Sequence, residues 1–224
     1  MKYLFIHQNF PGQFRHLAPA LAAQPGNQVV ALMVQPKGAP QTWRGVRVLP
    51  YPLQGANTPG LHPWLVDIET KTLRATACWQ AARSLRDQGF VPDVIVGHPG
   101  WGEPLFVKQV WPKARLGMYA EFFYQIQGAD VGFDPEFAPP DPEADACRLQ
   151  MKNLNHLAHL DQADGALSPT HWQASTFPPA WRDRICVAHD GIDTDMLCPV
   201  PDGRFPLPGG SGELTRDDEV ITYV

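Results

Sequence analysis

The stretch KYLFIHQNFPGQFRHLAPAL, residues 2–21, contains the pattern on which the fold prediction rests. Its first part, Lys2–His7, is an apolar run of strand length. From Phe14 onward, apolar residues recur at the spacing of one helix face. Gly12 lies between the two patterns, where a residue without a Cβ permits a tight turn. The stretch therefore predicts a strand, a glycine turn and a helix in succession.

The same alternation continues along the chain. Helical patterns occupy Leu61–Gly89, Gly102–Val110 and Glu143–Asp161. Further strands are predicted at Asn27–Val34, Val46–Tyr51, Pro92–Gly97, Ala114–Ala120, Gly165–Ser168 and Arg184–His189. Unbroken apolar runs such as Pro92–Gly97 are typical of parallel strands buried on both faces. The order predicts an α/β fold: a Rossmann-like, doubly wound, mostly parallel sheet with helices on both faces.

Each of the two long helices is predicted to bury one stripe of side chains. The stripe of the first is Leu65, Ile68, Ala75, Trp79, Ala82 and Leu85, and that of the second is Cys147, Met151, Leu154 and Ala158. His156 and His159 lie three residues apart on the second helix, a spacing that can bind metal. Since no third ligand accompanies them, they are interpreted as solvated or capping residues.

Composition and charge exclude several classes of protein. The formal net charge is −5 and the basic residues are scattered, so a nucleic acid is not a predicted partner. No apolar run approaches the roughly 20 residues of a membrane span. A cytoplasmic location is predicted, with peripheral membrane contact left open. The cysteines Cys78, Cys147, Cys186 and Cys198 form no CxxC pair, so they give no support to a zinc site.

Ligands bind at the carboxyl ends of strands in an open parallel sheet, so the loops there contain the functional candidates. The first such loop contains Asn9, Gly12 and Gln13. A phosphate could lie on the amides of Gly12 and Gln13, because free amides at a helix start favour anions. The loop has no dinucleotide or P-loop motif. An equally good explanation is that the residue is glycine only because the turn has no room for a side chain.

A second loop, GHPGWGEP (residues 97–104), follows a buried strand and contains His98 and Trp101. A histidine there is expected to face the cleft and to donate hydrogen bonds or hold a proton near neutral pH. His98 is therefore the catalytic candidate. Glu103 falls in the first turn of the next helix, where its charge is interpreted as complementing the helix dipole.

A third loop, YAEFFYQ (residues 119–125), places Glu121 among aromatic side chains. Rings beside a carboxylate can hold a sugar, because the rings stack on its CH faces while the acid accepts from its hydroxyls. Glu121 and Tyr124 are therefore binding candidates. Core packing explains Phe122 and Phe123 equally well.

The carboxyl-terminal part changes in composition. Pro199–Gly212 is nearly all Pro, Gly, Asp and Ser, which is typical of a linker. The predicted organisation is one domain at residues 1–198, a linker at 199–218, and the first strand of a truncated second domain at 219–224 (EVITYV). The alternative is that 219–224 is the last strand of the same domain.

Three motifs in this order resemble the amino-terminal domain of family 4 glycosyltransferases, which have the GT-B fold. HQNFPGQFRHLAPAL (His7–Leu21) resembles the family's first strand, glycine loop and helix. PDVIVGHPGW (Pro92–Trp101) resembles its fourth strand, which usually ends in His. VAHDGIDTDMLCP (Val187–Pro199) resembles its closing segment. The chain departs from the family in having His-Asp-Gly at 189–191 where Pro-Asn-Gly is usual, and a single glycine in the first loop where many members have two.

The resemblance implies two facing Rossmann-like domains, with the acceptor bound mainly by the amino-terminal one and a nucleotide-sugar by the other. It implies a retaining reaction without a metal or other cofactor. On this basis Gly12 and Gln13 match the loop that approaches the donor diphosphate, and His98 matches the cleft histidine near the transferred sugar. The acceptor-side candidates are Asn9, Trp101, Glu121 and Tyr124.

The predicted function is transfer of a sugar, of hexosyltransferase type, from a nucleotide-sugar donor to a saccharide or other hydroxyl acceptor. Without a donor domain, this chain alone is expected to be inactive. The alternatives are another GT-B enzyme, such as a sugar-nucleotide epimerase, and a non-catalytic binding module.

Overall fold

The computed structural model describes residues 1–35, 42–129, 131 and 133–220. The chain divides into two compact units, Met1–Asp190 and Gly191–Val224. The first unit contains an eight-stranded sheet, in the order β3-β4-β2-β1-β5-β6-β7-β8. Its strands are β1 (Lys2–Ile6), β2 (Gln28–Val34), β3 (Thr42–Trp43), β4 (Val46–Tyr51), β5 (Val94–Gly97), β6 (Arg115–Tyr119), β7 (Gly165–Ser168) and β8 (Ile185–Val187). All neighbours pair in parallel except β3 and β4, so the predicted mostly parallel α/β sheet is confirmed.

Helices cover both faces of this sheet. They are α1 (Leu17–Ala22), α2 (Pro63–Asp87), α3 (Val107–Val110), α4 (Pro142–Gln162), α5 (His171–Thr176) and α6 (Pro179–Arg182). Leu4 and Ile6 of β1 pack in one apolar core with α2 and α3, whereas Phe5 packs in a second core with Ala18 of α1. Successive side chains of a strand point to opposite faces, so β1 alone contributes to both cores.

The strand order reverses at β1. This strand pairs with β2 on one side and with β5 on the other. The connections that leave β1 and β5 run to opposite faces of the sheet, and a crevice opens at the carboxyl ends of these two strands. The loops after Ile6 and after Gly97 flank this crevice.

The buried face of α4 differs from the predicted stripe. Cys147, Leu154 and Ala158 are exposed. The buried residues are Leu149, Asn153, Asn155, His156, His159 and Leu160. The prediction was wrong because α4 packs against α2 and against the turn after β5, where polar side chains meet backbone groups. In α2, Ala75, Ala82 and Leu85 are buried as predicted, but Leu65 is exposed.

The second unit contains a short antiparallel pair, β9 (Phe205–Pro206) with β10 (Glu213–Leu214), inside the segment predicted to be a linker. The predicted strand at 219–224 lies largely outside the described residues. Within the residues that the structure describes, no helix is both long and apolar enough to cross a membrane.

Candidate active site

His98 follows β5 at the crevice, but it is only 4% exposed, not open to the cleft as expected. Its Nδ1 accepts a hydrogen bond from the backbone amide of Gly100 at 3.1 Å. Its Nε2 lies 2.9 Å from Oε2 of Glu121. A neutral imidazole has one donor and one acceptor nitrogen, so this geometry assigns the proton to Nε2. His98 therefore donates to the Glu121 carboxylate.

Glu121 is the solvent-accessible member of this pair. Its side chain is 43% exposed, and its Oε1 accepts a second hydrogen bond from Nε2 of Gln13 at 3.3 Å. The hydrogen bond from His98 is the main cause that lowers the pKa of Glu121. Glu121 is therefore a carboxylate at neutral pH. The predicted loops that contain Gln13 and His98 thus both bond the third predicted loop, through Glu121.

A second histidine, His7, lies across the crevice. Its ring meets that of His98 edge-on, with 5.5 Å between centroids. Its Nδ1 accepts from the backbone amide of Asn9 at 3.1 Å. Burial lowers the pKa of His7 to about 4, with a smaller contribution from His98. His7 is thus neutral near pH 7, a state that no sequence pattern indicated.

Gly12 lies against the His7 ring. Its φ is +47°, and a Cβ there would lie 2.6 Å from Nε2 of His7. The steric need for glycine, left open by the sequence, is therefore real. Contact with a phosphate stays a prediction.

Tyr119 and Asp190 belong to the site and were missed by sequence reasoning. The Tyr119 ring stacks on His98 with 5.5 Å between centroids and 26° between planes. Its hydroxyl donates to the carboxylate of Asp190, 2.7 Å from Oδ1. Burial, followed by the bond to Asp190, raises the pKa of Tyr119. The available signal was positional, since Tyr119 ends β6 and Asp190 follows β8. Trp101 also stacks on His98, at 6.4 Å.

Glu103 lies in the first turn of a short helix, Glu103–Phe106, as predicted, and its side chain is buried. It is 1% exposed and lies 3.3 Å from Nη1 of Arg74, which also donates to Oε1 of Gln8 at 2.7 Å. Burial raises the pKa of Glu103. Arg74 of α2 is its charged partner, and the interpretation that its charge complements the helix dipole stays a prediction.

Tyr124 lines a groove of about 620 Å³ between residues 123–127 and α4. Its amide donates to Oδ1 of Asn153 at 3.1 Å, and its carbonyl accepts from Nδ2 of the same residue at 2.8 Å. The Nζ atom of Lys152 lies 3.7 Å from the centre of its ring. The side chain therefore borders a cavity large enough for a sugar-sized ligand.

His156 and His159 are buried, so the interpretation as solvated or capping residues was wrong. His159 Nδ1 lies 2.7 Å from the backbone oxygen of Asn155. In the described part of the chain, no group of three or more His, Cys, Asp or Glu could hold a metal ion.

The family follows from a comparison of sequences. The model of the glycosyl transferase family 4 group matches residues 25–197, more than half of the chain. The chain belongs to this family. A comparison with curated proteins found no match.

Several solved structures are similar to this chain. UGT2 of Phytolacca americana, complexed with UDP-2fluoro-glucose and pterostilbene, matches with a TM-score of 0.54 and 13% identity, over 85% of this chain and 52% of its own. Os79 of O. sativa, in complex with UDP and deoxynivalenol-3-glucoside, matches with a TM-score of 0.50 and 15% identity, over 89% and 55%. A UDP-GlcNAc 2-epimerase of Neisseria meningitidis matches with a TM-score of 0.45 and 12% identity, over 84% and 45%. The family 4 chain thus has the fold of the GT-B amino-terminal domain and spans about half the length of these proteins.

Proposed function

We propose that this chain is the acceptor-side, amino-terminal domain of a retaining, metal-independent glycosyltransferase that uses a nucleotide-sugar donor. One observation carries the proposal. In a family 4 chain, the Glu121 carboxylate is fixed at the crevice by His98 and Gln13. A pre-oriented charge at a ligand crevice is what transition-state stabilisation needs.

Glu121 is better suited to electrostatics than to proton abstraction. A carboxylate with a lowered pKa is a weak base. General-base catalysis is most efficient when the pKa of the base lies near the working pH, and the pKa of Glu121 is shifted away from it. A positive charge develops on the sugar ring when a glycosidic bond breaks. The carboxylate can stabilise that charge or accept a hydrogen bond from a sugar hydroxyl.

His98 acts here through Glu121. Both of its ring nitrogens have partners, the Gly100 amide and the Glu121 carboxylate. Its contribution to turnover is to hold the Glu121 carboxylate in place. When a substrate replaces one of these two hydrogen-bond partners, the ring nitrogen that is freed can bond the substrate. The loop at Gly12 and Gln13 is proposed to face the donor diphosphate.

The acceptor is proposed to bind beside these groups. Asn9 and Trp101 present exposed side chains at the crevice, and Tyr124 borders the groove on α4. An aromatic-lined surface of this kind suits a ring-bearing hydroxyl acceptor.

The test is a screen of the full-length protein against nucleotide sugars with a panel of hydroxyl acceptors, followed by NMR. We expect nucleotide release, a glycoside of the same anomeric configuration as the donor, and full activity in EDTA. Appearance of an epimerised donor without glycoside would replace the proposal with an epimerase, and saturable donor binding without turnover would replace it with a binding module.

The role of Glu121 is tested with Glu121→Gln, which removes the charge and keeps the shape. We expect a loss of turnover of roughly 10²-fold, the size seen for a lost electrostatic group. The matched control is Glu143→Gln on the exposed start of α4, which should retain normal turnover.

A further inference from the structure

The backbone amide that fixes the His98 ring is itself held by a buried side chain. Gly100 N–H donates to Nδ1 of His98 at 3.1 Å. The carbonyl of the same peptide unit belongs to Pro99, and it accepts from Nδ2 of Asn155 at 2.9 Å. One planar peptide thus joins Asn155 to His98, because its carbonyl and its N–H point in opposite directions within one rigid plane.

We propose that Asn155 is a positioning residue, which fixes His98 as the Nε2–H tautomer through the Pro99–Gly100 peptide and so aims that proton at Glu121. A peptide whose carbonyl accepts a hydrogen bond becomes a better donor at its N–H, since hydrogen bonds in a chain polarise one another. The complete chain runs from Asn155 through the peptide to His98 and then to the Glu121 carboxylate.

The opposite tautomer is incompatible with this arrangement. A proton on Nδ1 would face the Gly100 N–H, so two donors would oppose each other. The lone pair on Nε2 would then face an ionised carboxylate of Glu121 at 2.9 Å. Each contact is repulsive, so the Gly100 amide and the Glu121 carboxylate both require the proton on Nε2.

The burial of Asn155 supports a role beyond packing. It is 7% exposed and lies on the buried face of α4. Its Oδ1 has no hydrogen-bond partner among the described protein atoms, so its burial is costly. On the other side of the loop, Gly102 packs so closely on α2 that a Cβ would lie 2.7 Å from the carbonyl oxygen of Lys71. The loop is therefore clamped between two helices, and Asn155 supplies the hydrogen bond from α4.

The test is nitrogen-15 NMR of this 224-residue chain, so it does not depend on turnover. In the unmodified chain, long-range proton–nitrogen correlations should show His98 protonated at Nε2 with a hydrogen-bonded Nδ1. Asn155→Leu keeps the branched shape of the side chain and removes the donor. It should shift the Nδ1 resonance toward that of a free acceptor and speed hydrogen exchange of the Gly100 amide about tenfold or more.

Asn153→Leu is the matched control, because Asn153 is a buried amide on the same helix that bonds Tyr124 instead. It should leave hydrogen exchange of the Gly100 amide unchanged, because the bonds of Asn153 go to Tyr124 and not to the Pro99–Gly100 peptide. If Asn155→Leu does not fold, Asn155→Ala serves in its place. Protonation of His98 at Nδ1 in the unmodified chain would overturn the inference, as would unchanged His98 and Gly100 signals in a folded Asn155 variant. The consequence for catalysis rests on the proposed function. If the full-length protein transfers no sugar, the NMR result on the His98 tautomer is unaffected.

Discussion

Mild acid should unfold this chain through its buried histidines. His7, His156 and His159 are all nearly inaccessible to solvent. Burial is the largest cause that lowers their pKa values, to about 4, 3 and 4 respectively. For His156 the nearby cation of Lys71 contributes further in the same direction. In the folded protein these rings therefore stay neutral at a pH where the unfolded chain binds protons.

The magnitude follows from linkage. An unfolded histidine has a pKa of about 6.5, and each pKa unit of separation corresponds to about 1.4 kcal/mol. At pH 5 each buried ring therefore costs about 2 kcal/mol of the free energy of unfolding, and the three together about 6 kcal/mol. The three histidines do not reduce the free energy of unfolding above about pH 6.5. Their destabilising effect grows as the pH falls from there toward 4. Because whole domains are stable by only about 5–15 kcal/mol, the chain should be close to unfolding at pH 5.

The assay is urea unfolding at pH 7 and pH 5, followed by circular dichroism. His7→Gln should reduce the difference between the two pH values by about 2 kcal/mol, because it removes one of the three groups. His16→Gln is the matched control on an exposed ring, and it should leave the difference unchanged. A difference below about 2 kcal/mol in the unmodified chain, or equal effects of the two variants, would refute the reasoning.

Two further predictions concern the walls of the crevice. Gly12→Ala should lower stability by about 2–4 kcal/mol, since it adds a clash with His7 to the cost of a positive φ. Gly26→Ala, at φ +81° with open space around it, should cost only about 1–2 kcal/mol, and equal melting temperatures of the two variants would contradict the clash. Tyr119→Phe should lower stability by about 1–3 kcal/mol through loss of its bond to Asp190, whereas unchanged urea unfolding would show that this bond contributes nothing.

The sheet could be predicted from the sequence because its strands are unbroken apolar runs. Val46–Tyr51 and Gly165–Ser168 have the predicted bounds, and the other predicted strands in the sheet differ by one or two residues at an end. The rule that ligands bind at the carboxyl ends of strands selected His98 and Glu121, which the structure places in direct contact. The rule worked because parallel strands bring loops that are distant in sequence to one edge.

The support of the site could not be predicted in the same way. Periodicity finds a buried face only where that face is apolar, whereas α4 buries Asn153, Asn155 and two histidines. The pairing of Arg74 with Glu103 also joins distant segments, and Arg74 lies in none of the motifs. A charge in a first helical turn looks the same in sequence whether it faces water or the interior.

The polar face of α4 is explained by what it holds. Asn153 bonds both backbone groups of Tyr124, and Asn155 bonds the carbonyl of Pro99. These two loops contain Glu121 and His98, so one helix sets the positions of both partners in the hydrogen bond at the crevice. An apolar face would fill the same space against α2 but would leave the Tyr124 carbonyl without the Asn153 donor, at a cost of about 1–3 kcal/mol. The Pro99 carbonyl would keep only its bond from the Gly102 amide, at 3.0 Å. Buried amides on a helix that covers the carboxyl end of a parallel sheet are therefore a signal of a supported site, even where the apolar pattern points to a different face.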